Sequence, residues 1–211
     1  MKTLLIVFQS LTGGTRQMAE AAAQGAQAQS EVSVRLLPAV QAQPEDVLAA
    51  DGYIFATPET LAAISGLMKD FFDRTYYPAL ERIKGRPYAI LICAGSDGQN
   101  AARQIERIAT GWRLRAITEP IIVCTHAQTP EAIFAPKVIG SDDLGRCEEL
   151  GVALAAGLVI GTLRVGLMQG STGVHTTNPG PIRRSTRPQS RETHGCPAQG
   201  SASGLVRAWF S

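Results

Sequence analysis

The sequence lacks most of the short motifs that identify a catalysed reaction. Its four cysteines form no CxxC pair, and its three histidines stand in no recognisable triad or metal-binding cluster. This pattern disfavours a zinc site and a cysteine or serine hydrolase. We therefore predict neither a catalytic side chain nor a metal site.

Membrane and secretion signals are missing as well. The apolar stretch 150–163 is shorter than the roughly 20 residues that a membrane-spanning helix needs. The amino terminus carries one lysine and a short apolar run that ends at Gln9, unlike a secretion signal. We therefore expect no membrane partner, and a cytoplasmic protein whose cysteines are buried, reduced thiols.

Acidic residues are scarce after residue 161. Residues 162–211 contain six arginines and one acid, Glu192, which gives this segment a charge of +5. Because the whole chain carries +2, residues 1–161 carry −3, which argues against nucleic-acid binding by the folded domain. Gly, Pro, Ser and Thr account for 23 of these 50 residues, so we predict a flexible tail after a domain at 1–161. An arm for a nucleic acid or an acidic partner is the alternative.

Strand and helix patterns alternate through the first 161 residues. Four unbroken apolar runs are typical of parallel strands buried on both faces, whereas residues 32–36 alternate in polarity, as a strand at a sheet edge does. The predicted strands are Leu4–Phe8, residues 32–36, Tyr53–Ala56, Tyr88–Cys93 and Ile121–Cys124. With helices between them, they predict a three-layer α/β fold with right-handed crossovers.

Apolar residues at spacings of three and four predict the helices. Thr129-Pro130 is typical of an N-cap followed by proline in the first helical position, and Ser96-Asp97-Gly98-Gln99 has the form of a capping box. We expect Tyr76 and Tyr77 to pack at the surface or at a boundary, and contact with the site or with a partner subunit is the alternative. The predicted buried helix faces are Met18, Ala22 and Ala26; Leu67, Met68, Phe71 and Phe72; Ala101, Ile105, Ile108 and Trp112; and Leu144, Cys147, Leu150 or Gly151, Leu154 and Leu158.

A loop rich in hydroxyls joins the first strand to the first helix. It lacks the lysine of a nucleotide-triphosphate loop and the GxGxxG pattern of a dinucleotide fold. Free backbone N–H groups and the positive end of a helix dipole favour an anion there, and three hydroxyls suit a phosphate monoester. The predicted binding residues are Ser10, Leu11, Thr12, Gly13, Gly14 and Thr15.

This S-L-T-G-G-T segment resembles the (S/T)-x-T-G-x-T loop of flavodoxin-like proteins, which holds the phosphate of FMN. Thr57-Pro58, with the later residues 65–74, resembles the T-P-(loop)-M-S-G-x-M-K-x-F-x-D-R signature of the flavodoxin-fold NAD(P)H-dependent FMN and quinone reductases. The resemblance covers about residues 1–161. It implies a flavodoxin-like fold with FMN as cofactor and NAD(P)H as electron donor.

In a flavodoxin-like sheet ordered 2-1-3-4-5, the loops after strands one, three and four line one crevice. The resemblance therefore implies that residues 57–65 and 94–98 flank the flavin ring. The expected ring contacts are Thr57, Pro58, Glu59, Thr60, Leu61, Gly95, Ser96, Asp97 and Gly98. Glycines in the second loop allow the backbone to approach the ring edge.

The loop at 57–65 departs from the family because it contains no aromatic residue, so Leu61 or Ile64 is left to cover a ring face. Three functions remain open at this stage: an NAD(P)H-dependent FMN oxidoreductase acting on a quinone, a flavin or a similar acceptor; an electron carrier that is not an enzyme; and an interaction module with little flavin. The acceptor, the choice between NADH and NADPH and a possible homo-oligomer are undetermined by the sequence.

Overall fold

A computed structural model describes residues 1–161, and the predicted tail at 162–211 lies outside the described residues. The strands are β1 (Lys2–Phe8), β2 (Val32–Pro38), β3 (Gly52–Thr60), β4 (Ala63–Ile64), β5 (Pro87–Ala94), β6 (Arg115–Ala116) and β7 (Ile121–Cys124). The helices are α1 (Gly14–Gln27), α2 (Pro44–Ala49), α3 (Gly66–Ala79), α4 (Gln99–Gly111), α5 (Pro130–Phe134) and α6 (Ser141–Ile160). No helix in this range is long and apolar enough to cross a bilayer.

The sheet confirms the predicted order. Its parallel path runs β2-β1-β3-β5, and the far side of β5 pairs first with β6 and then with β7. The first, second, third, fourth and fifth predicted strands are therefore β1, β2, β3, β5 and β7. The fifth position in the sheet is divided, because β6 pairs with Pro87 and Tyr88 while β7 begins opposite Leu91. The short strands β4 and β6 were not predicted.

Helices cover both faces of the sheet. One apolar layer packs α2, α3 and α4 against an aromatic cluster in which the Phe55 ring lies 5.2 Å from Phe72 and 6.3 Å from both Phe71 and Trp112. The other layer packs α1 and α6 against β1, β3 and β5. Full burial of each large side chain contributes about 1.5–3 kcal/mol, so these two layers supply the main stabilisation of the fold.

Helices α1 and α6 cross at very short range. A Cβ atom added to Gly151 would collide with the backbone oxygen of Ala22, and one added to Gly25 would collide with that of Glu148. Only glycine fits at these two positions, so the crossing is specified by residue size rather than by polar contacts.

The local predictions have mixed outcomes. The predicted helix faces are buried except at Ile108 and Leu144, which are half-buried, and at Leu67, which is 44% exposed and points away from the core. Thr129 is an N-cap, since its hydroxyl accepts a hydrogen bond from the Ala132 N–H at 3.2 Å. The capping box at 96–99 was wrong: the N-cap of α4 is Gly98, in the left-handed region with φ 80° and no side-chain cap.

Candidate functional site

The hydroxyl-rich loop lies where β1 passes into α1. Ser10 Oγ accepts hydrogen bonds from the N–H groups of Gly13 and Arg16, at 3.2 and 3.3 Å. Gly13 is the N-cap of α1 and has φ 90°. Within residues 1–161, no acceptor is hydrogen-bonded to the N–H groups of Leu11, Thr12, Gly14 and Thr15. Four unpartnered amides and the positive end of a 14-residue helix therefore lie at one place, as an anion site requires.

A distant segment holds this loop in place. The Lys137 N–H donates to the Thr12 carbonyl oxygen at 2.7 Å. The Gln17 side chain donates to the Lys137 carbonyl at 2.7 Å and accepts from the Ile139 N–H at 3.1 Å. Sequence analysis missed both Gln17 and Lys137, because a contact across 120 residues leaves no periodic signal.

The floor of the loop is tightly packed. Thr15 is buried, and a Cβ atom on Gly14 would lie 2.7 Å from Cys93 Sγ. Burial raises the pKa of the Cys93 thiol, partly offset by the positive charge of Lys137 and a hydrogen bond with Thr15. Cys93 is therefore a neutral packing group beneath the loop and not a reactive thiolate.

Arg16 lies at the outer side of the loop. Its guanidinium carbon is 5.7 Å from the centre of the Phe8 ring, and its Nε lies 3.4 Å from Glu20 Oε1. Both contacts keep this cation on the first turns of α1. The positive potential inside the loop therefore comes chiefly from the backbone.

Residues 57–65 form a β-hairpin and not the loop that we predicted. Strand β3 continues to Thr60, and Ala63 pairs with it after a two-residue turn. Leu61 and Ala62 have φ 52° and 56°, values typical of a type I′ turn, which favours Asn and Gly over Leu and Ala. Such strain in residues other than glycine tends to occur at ligand sites.

Side chains of the hairpin divide between the core and the surface. The Thr57 hydroxyl is buried and accepts from the Ser65 N–H at 3.3 Å, which ties the two ends of the hairpin together. Ile64 is only 7% exposed and belongs to the core, so of the two residues predicted to cover a ring face only Leu61 is available. Leu61 is 97% exposed at the hairpin tip.

The hairpin is fastened to the loop at 95–98 by a carboxylate. Glu59 Oε2 accepts a hydrogen bond from the Gly98 N–H at 2.9 Å. Glu59 Oε1 is buried and has no hydrogen-bond partner among the residues described. Gly98 is buried, and a Cβ atom there would lie 2.6 Å from the Ile122 side chain. An orphaned carboxylate oxygen is costly, so this position calls for an N–H donor from outside the chain.

The remainder of the 95–98 loop faces outward. Ser96 and Asp97 are exposed and Gly95 is half-buried. Cys124 Sγ lies 3.8 Å from the Asp97 carbonyl oxygen, and burial together with the charges of Asp97 and Glu59 raises the pKa of this thiol. Acidic groups therefore surround the outer end of β7.

The three predicted segments lie at one edge of the sheet, the carboxyl ends of β1, β3 and β5. The Gln9 N–H donates to Ala56 O at 2.9 Å, which joins the first loop to the strand that leads into the hairpin, and Gly14 rests on Cys93 of β5. The polar groups of these segments fit FMN. Amides and hydroxyls can donate to a phosphate monoester, and the unpartnered Glu59 oxygen can accept from a ring N–H. Direct contact of each predicted residue with FMN stays a prediction.

Comparison with known sequences links this chain to flavoproteins. Residues 36–129 match the family model for NADPH-dependent FMN reductase. An NAD(P)H dehydrogenase (quinone) of Acidithiobacillus ferrooxidans is 36% identical over 95 residues, which are 36% of this chain and 48% of that protein. A flavodoxin of Aquifex aeolicus is 40% identical over 73 residues, 35% of this chain and 40% of that protein. The chain thus spans less than half the length of these two relatives.

Solved structures give the same fold. A flavodoxin from the domain Archaea superposes with a TM-score of 0.61 at 18% identity, covering 74% of this chain and 99% of that one. A flavodoxin, WrbA-like protein from Agrobacterium tumefaciens gives 0.57 at 17% identity, covering 76% and 99%. The fold is therefore flavodoxin-like, as the sequence predicted.

Proposed function

We propose that this chain is an FMN-dependent oxidoreductase that takes electrons from NAD(P)H and passes them to a quinone, a flavin or a similar acceptor. The observation that carries the proposal is the match of residues 36–129 to the NADPH-dependent FMN reductase family. That range contains both the hairpin and the 95–98 loop, the segments on which the flavin ring would rest. We also propose that residues 1–161 are the complete cofactor-binding unit.

Binding of the phosphate is assigned to the first loop. The amides of Leu11, Thr12, Gly14 and Thr15 and the hydroxyls of Ser10 and Thr12 are the donors that a phosphate monoester needs. A site made mainly of backbone groups is fixed before the ligand arrives, so little ordering entropy is lost on binding. This supports FMN over riboflavin, which lacks the phosphate.

Orientation of the ring is assigned to the hairpin and the 95–98 loop. Glu59 links the two segments through the Gly98 N–H, and its second oxygen, buried and without a partner among the described residues, is the acceptor that we assign to a ring N–H. Leu61, exposed at the hairpin tip, offers an apolar side chain to one ring face. When bound, the flavin itself supplies the hydride-accepting chemistry, and the protein has to bind it, orient it and leave a face open to the donor.

An uncovered face of the flavin ring favours an enzyme over an electron carrier. The hairpin contains no aromatic side chain to cover the ring. An uncovered face allows a nicotinamide to stack on the flavin.

A quinone acceptor is supported by the Acidithiobacillus relative, which carries that activity in its name. A cytoplasmic location is supported by Cys93, Cys124 and Cys147, which are free thiols within the described residues.

A carrier function is the second candidate, because the flavodoxin of Aquifex aeolicus matches over 73 residues. Anaerobic stopped-flow mixing of FMN-loaded protein with NADH or NADPH distinguishes the two. We expect NADH or NADPH to bleach the flavin absorption, and we expect the absorption to return on addition of a quinone. If neither nucleotide reduces the flavin while a partner reductase does, the carrier function is correct.

A further inference from the structure

A cavity lies beside the hairpin. It has a volume of about 630 Å³ and is bounded by β4, the beginning of α3 and the exposed face of α4. Cavities of roughly 300–1,000 Å³ are typical of small-molecule sites. Its walls combine an apolar part, which includes Ile64 and Ile108, with three cationic side chains, Lys69, Arg103 and Arg107.

The cations of this cavity are only partly neutralised. Lys69 pairs with Asp73 on α3. Within residues 1–161, by contrast, no carboxylate lies within ion-pair distance of Arg103 or Arg107. The two arginines are four residues apart on α4, so their side chains are neighbours and repel one another. An anion bound between them would remove that repulsion and accept the paired N–H donors of both guanidinium groups.

The α3 helix adds to the positive potential. It runs for 14 residues from Gly66, and its N-cap Ser65 accepts from the Met68 N–H. Gly66 lines the cavity, and a Cβ atom placed on it would meet nothing within 4 Å. The positive end of the helix dipole therefore faces an open space next to the arginines.

The cavity and the proposed flavin site share one wall. Gln104 Oε1 accepts from the Ile64 N–H at 3.1 Å, and the Asn100 side chain donates to the Ala62 carbonyl oxygen. The flank of the hairpin is thus part of the cavity wall, while its other segment carries the proposed ring contacts. A single ligand that passes over the tip would reach the flavin with one end and the arginines with the other.

We propose that this cavity binds the phosphate-bearing adenosine end of the reduced dinucleotide, with Arg103 and Arg107 as the phosphate contacts. The inference rests on the proposed function, because it takes NAD(P)H as the electron donor. Phosphate groups match the guanidinium pair and the helix end, and the half-buried Ile108 offers an apolar surface to the flat face of a base. Both arginines are exposed, so their replacement leaves the core intact.

The test compares the double variant Arg103→Gln, Arg107→Gln with the control Arg146→Gln, which removes an exposed arginine from α6 on the opposite side of the sheet. NADP⁺ binding to each FMN-loaded protein is measured by calorimetry, and flavin reduction is followed across NADPH and NADH concentrations. We expect at least a tenfold weaker affinity for NADP⁺ and NADPH in the double variant, an unchanged maximal rate of reduction, and no change in the control.

A comparison of NADPH with NADH shows whether the arginines contact the 2′-phosphate or the diphosphate. Weakening of NADPH alone assigns the arginines to the 2′-phosphate, and equal weakening of NADH assigns them to the diphosphate; either result supports the site. Unchanged affinities in the double variant would overturn it, even if the wild-type flavin is reduced normally. If the wild-type flavin is reduced by neither nucleotide, the proposed function fails instead, and arginine-dependent binding of NADP⁺ still reports on the cavity.

Discussion

Glu59 and Gly98 are joined across 39 residues by a hydrogen bond of 2.9 Å from the Gly98 N–H to the Glu59 carboxylate. This bond directly links the hairpin formed by the end of β3 and β4 to the loop after β5. Gly98 is buried and has φ 80°, so its N–H has little freedom to turn toward another acceptor. The carboxylate thus adds a polar link between the two proposed ring-binding segments to the pairing of Pro58 with Cys93 in β3 and β5.

Replacement of Glu59 tests how strongly FMN binding depends on this hydrogen bond. Glu59→Ala leaves the Gly98 N–H without its acceptor, at a cost of about 1–3 kcal/mol, and we expect FMN affinity to fall about tenfold or more. Glu59→Gln keeps an oxygen acceptor and should lose less. Quenching of FMN fluorescence on titration measures both affinities. Equal losses would indicate that the charge matters and not the hydrogen bond.

The hydroxyl of Thr12 tests the phosphate assignment. Thr12→Val keeps the shape of the side chain and removes one donor to a charged group, worth about 1.5–3 kcal/mol. We expect FMN affinity to fall about tenfold or more and riboflavin affinity to stay unchanged, because riboflavin has no phosphate to lose a partner. Parallel fluorescence titrations give the comparison. A matching loss of riboflavin affinity would place the phosphate elsewhere.

The hairpin tip is a site of stored strain. Leu61→Asn with Ala62→Gly supplies the residues that a type I′ turn favours, so the free energy of unfolding should rise by about 1 kcal/mol. The single variant Leu61→Ala retains the strain and removes only the exposed side chain. Urea denaturation measures stability, and FMN titration separates the two effects: if Leu61 contacts the ring, both variants bind FMN more weakly. A double variant less stable than wild type would contradict the turn assignment.

Stability should decline in alkali. Burial raises the pKa of Cys147 from 9.0 to about 11, and burial raises that of Tyr53 from 10.0 to about 12. The unfolded chain therefore releases these protons first, so the free energy of unfolding falls as pH rises above 9, by about 2–3 kcal/mol for Cys147 by pH 11. Urea denaturation from pH 8 to 11 measures the slope. The Cys147→Ala protein should show a shallower decline between pH 9 and 11, and an unchanged slope would exclude Cys147 as the cause.

A chain shortened to end at Gly161 tests the proposed domain boundary. The last helix buries Leu150, Leu154 and Leu158 against α1 and the sheet, so residues 1–161 contain both apolar layers of the fold. We expect the shortened chain to keep a cooperative thermal transition and FMN affinity within about twofold of the full chain. Loss of either property would show that residues after 161 are part of the folded unit.

Much of this fold was predictable because its signals are local. Continuous apolar runs identified four of the five main strand positions, and the alternation at 32–36 identified the fifth, β2, at the sheet edge, where it is found. The turn between β1 and α1 was visible because its glycines and hydroxyls are adjacent in sequence, and its contact with a phosphate stays a prediction. These features depend on residues that are neighbours along the chain.

The remaining features depend on partners far away. Strand β4 arises because Ala63 and Ile64 fold back on β3, although neither the turn residues nor the short length favours a hairpin. Ile64 was misassigned because a bond from its N–H to Gln104 holds it against the core layer. Gln17 and Lys137, like Glu59 and Gly98, meet only after the sheet has formed. Such polar contacts have no periodicity that a single sequence could display.

The crossing of α1 and α6 has a consequence for how the chain acquires its structure during synthesis. The apolar face of α1 is complete once residue 27 has left the ribosome, but Gly151, against which Ala22 fits, follows more than 120 residues later. At about 5–20 residues per second, the part of that face that meets α6 waits several seconds or longer for its partner. The helix that begins at the proposed phosphate loop is thus among the first segments made, whereas its close crossing with α6 is among the last contacts of the fold that can form.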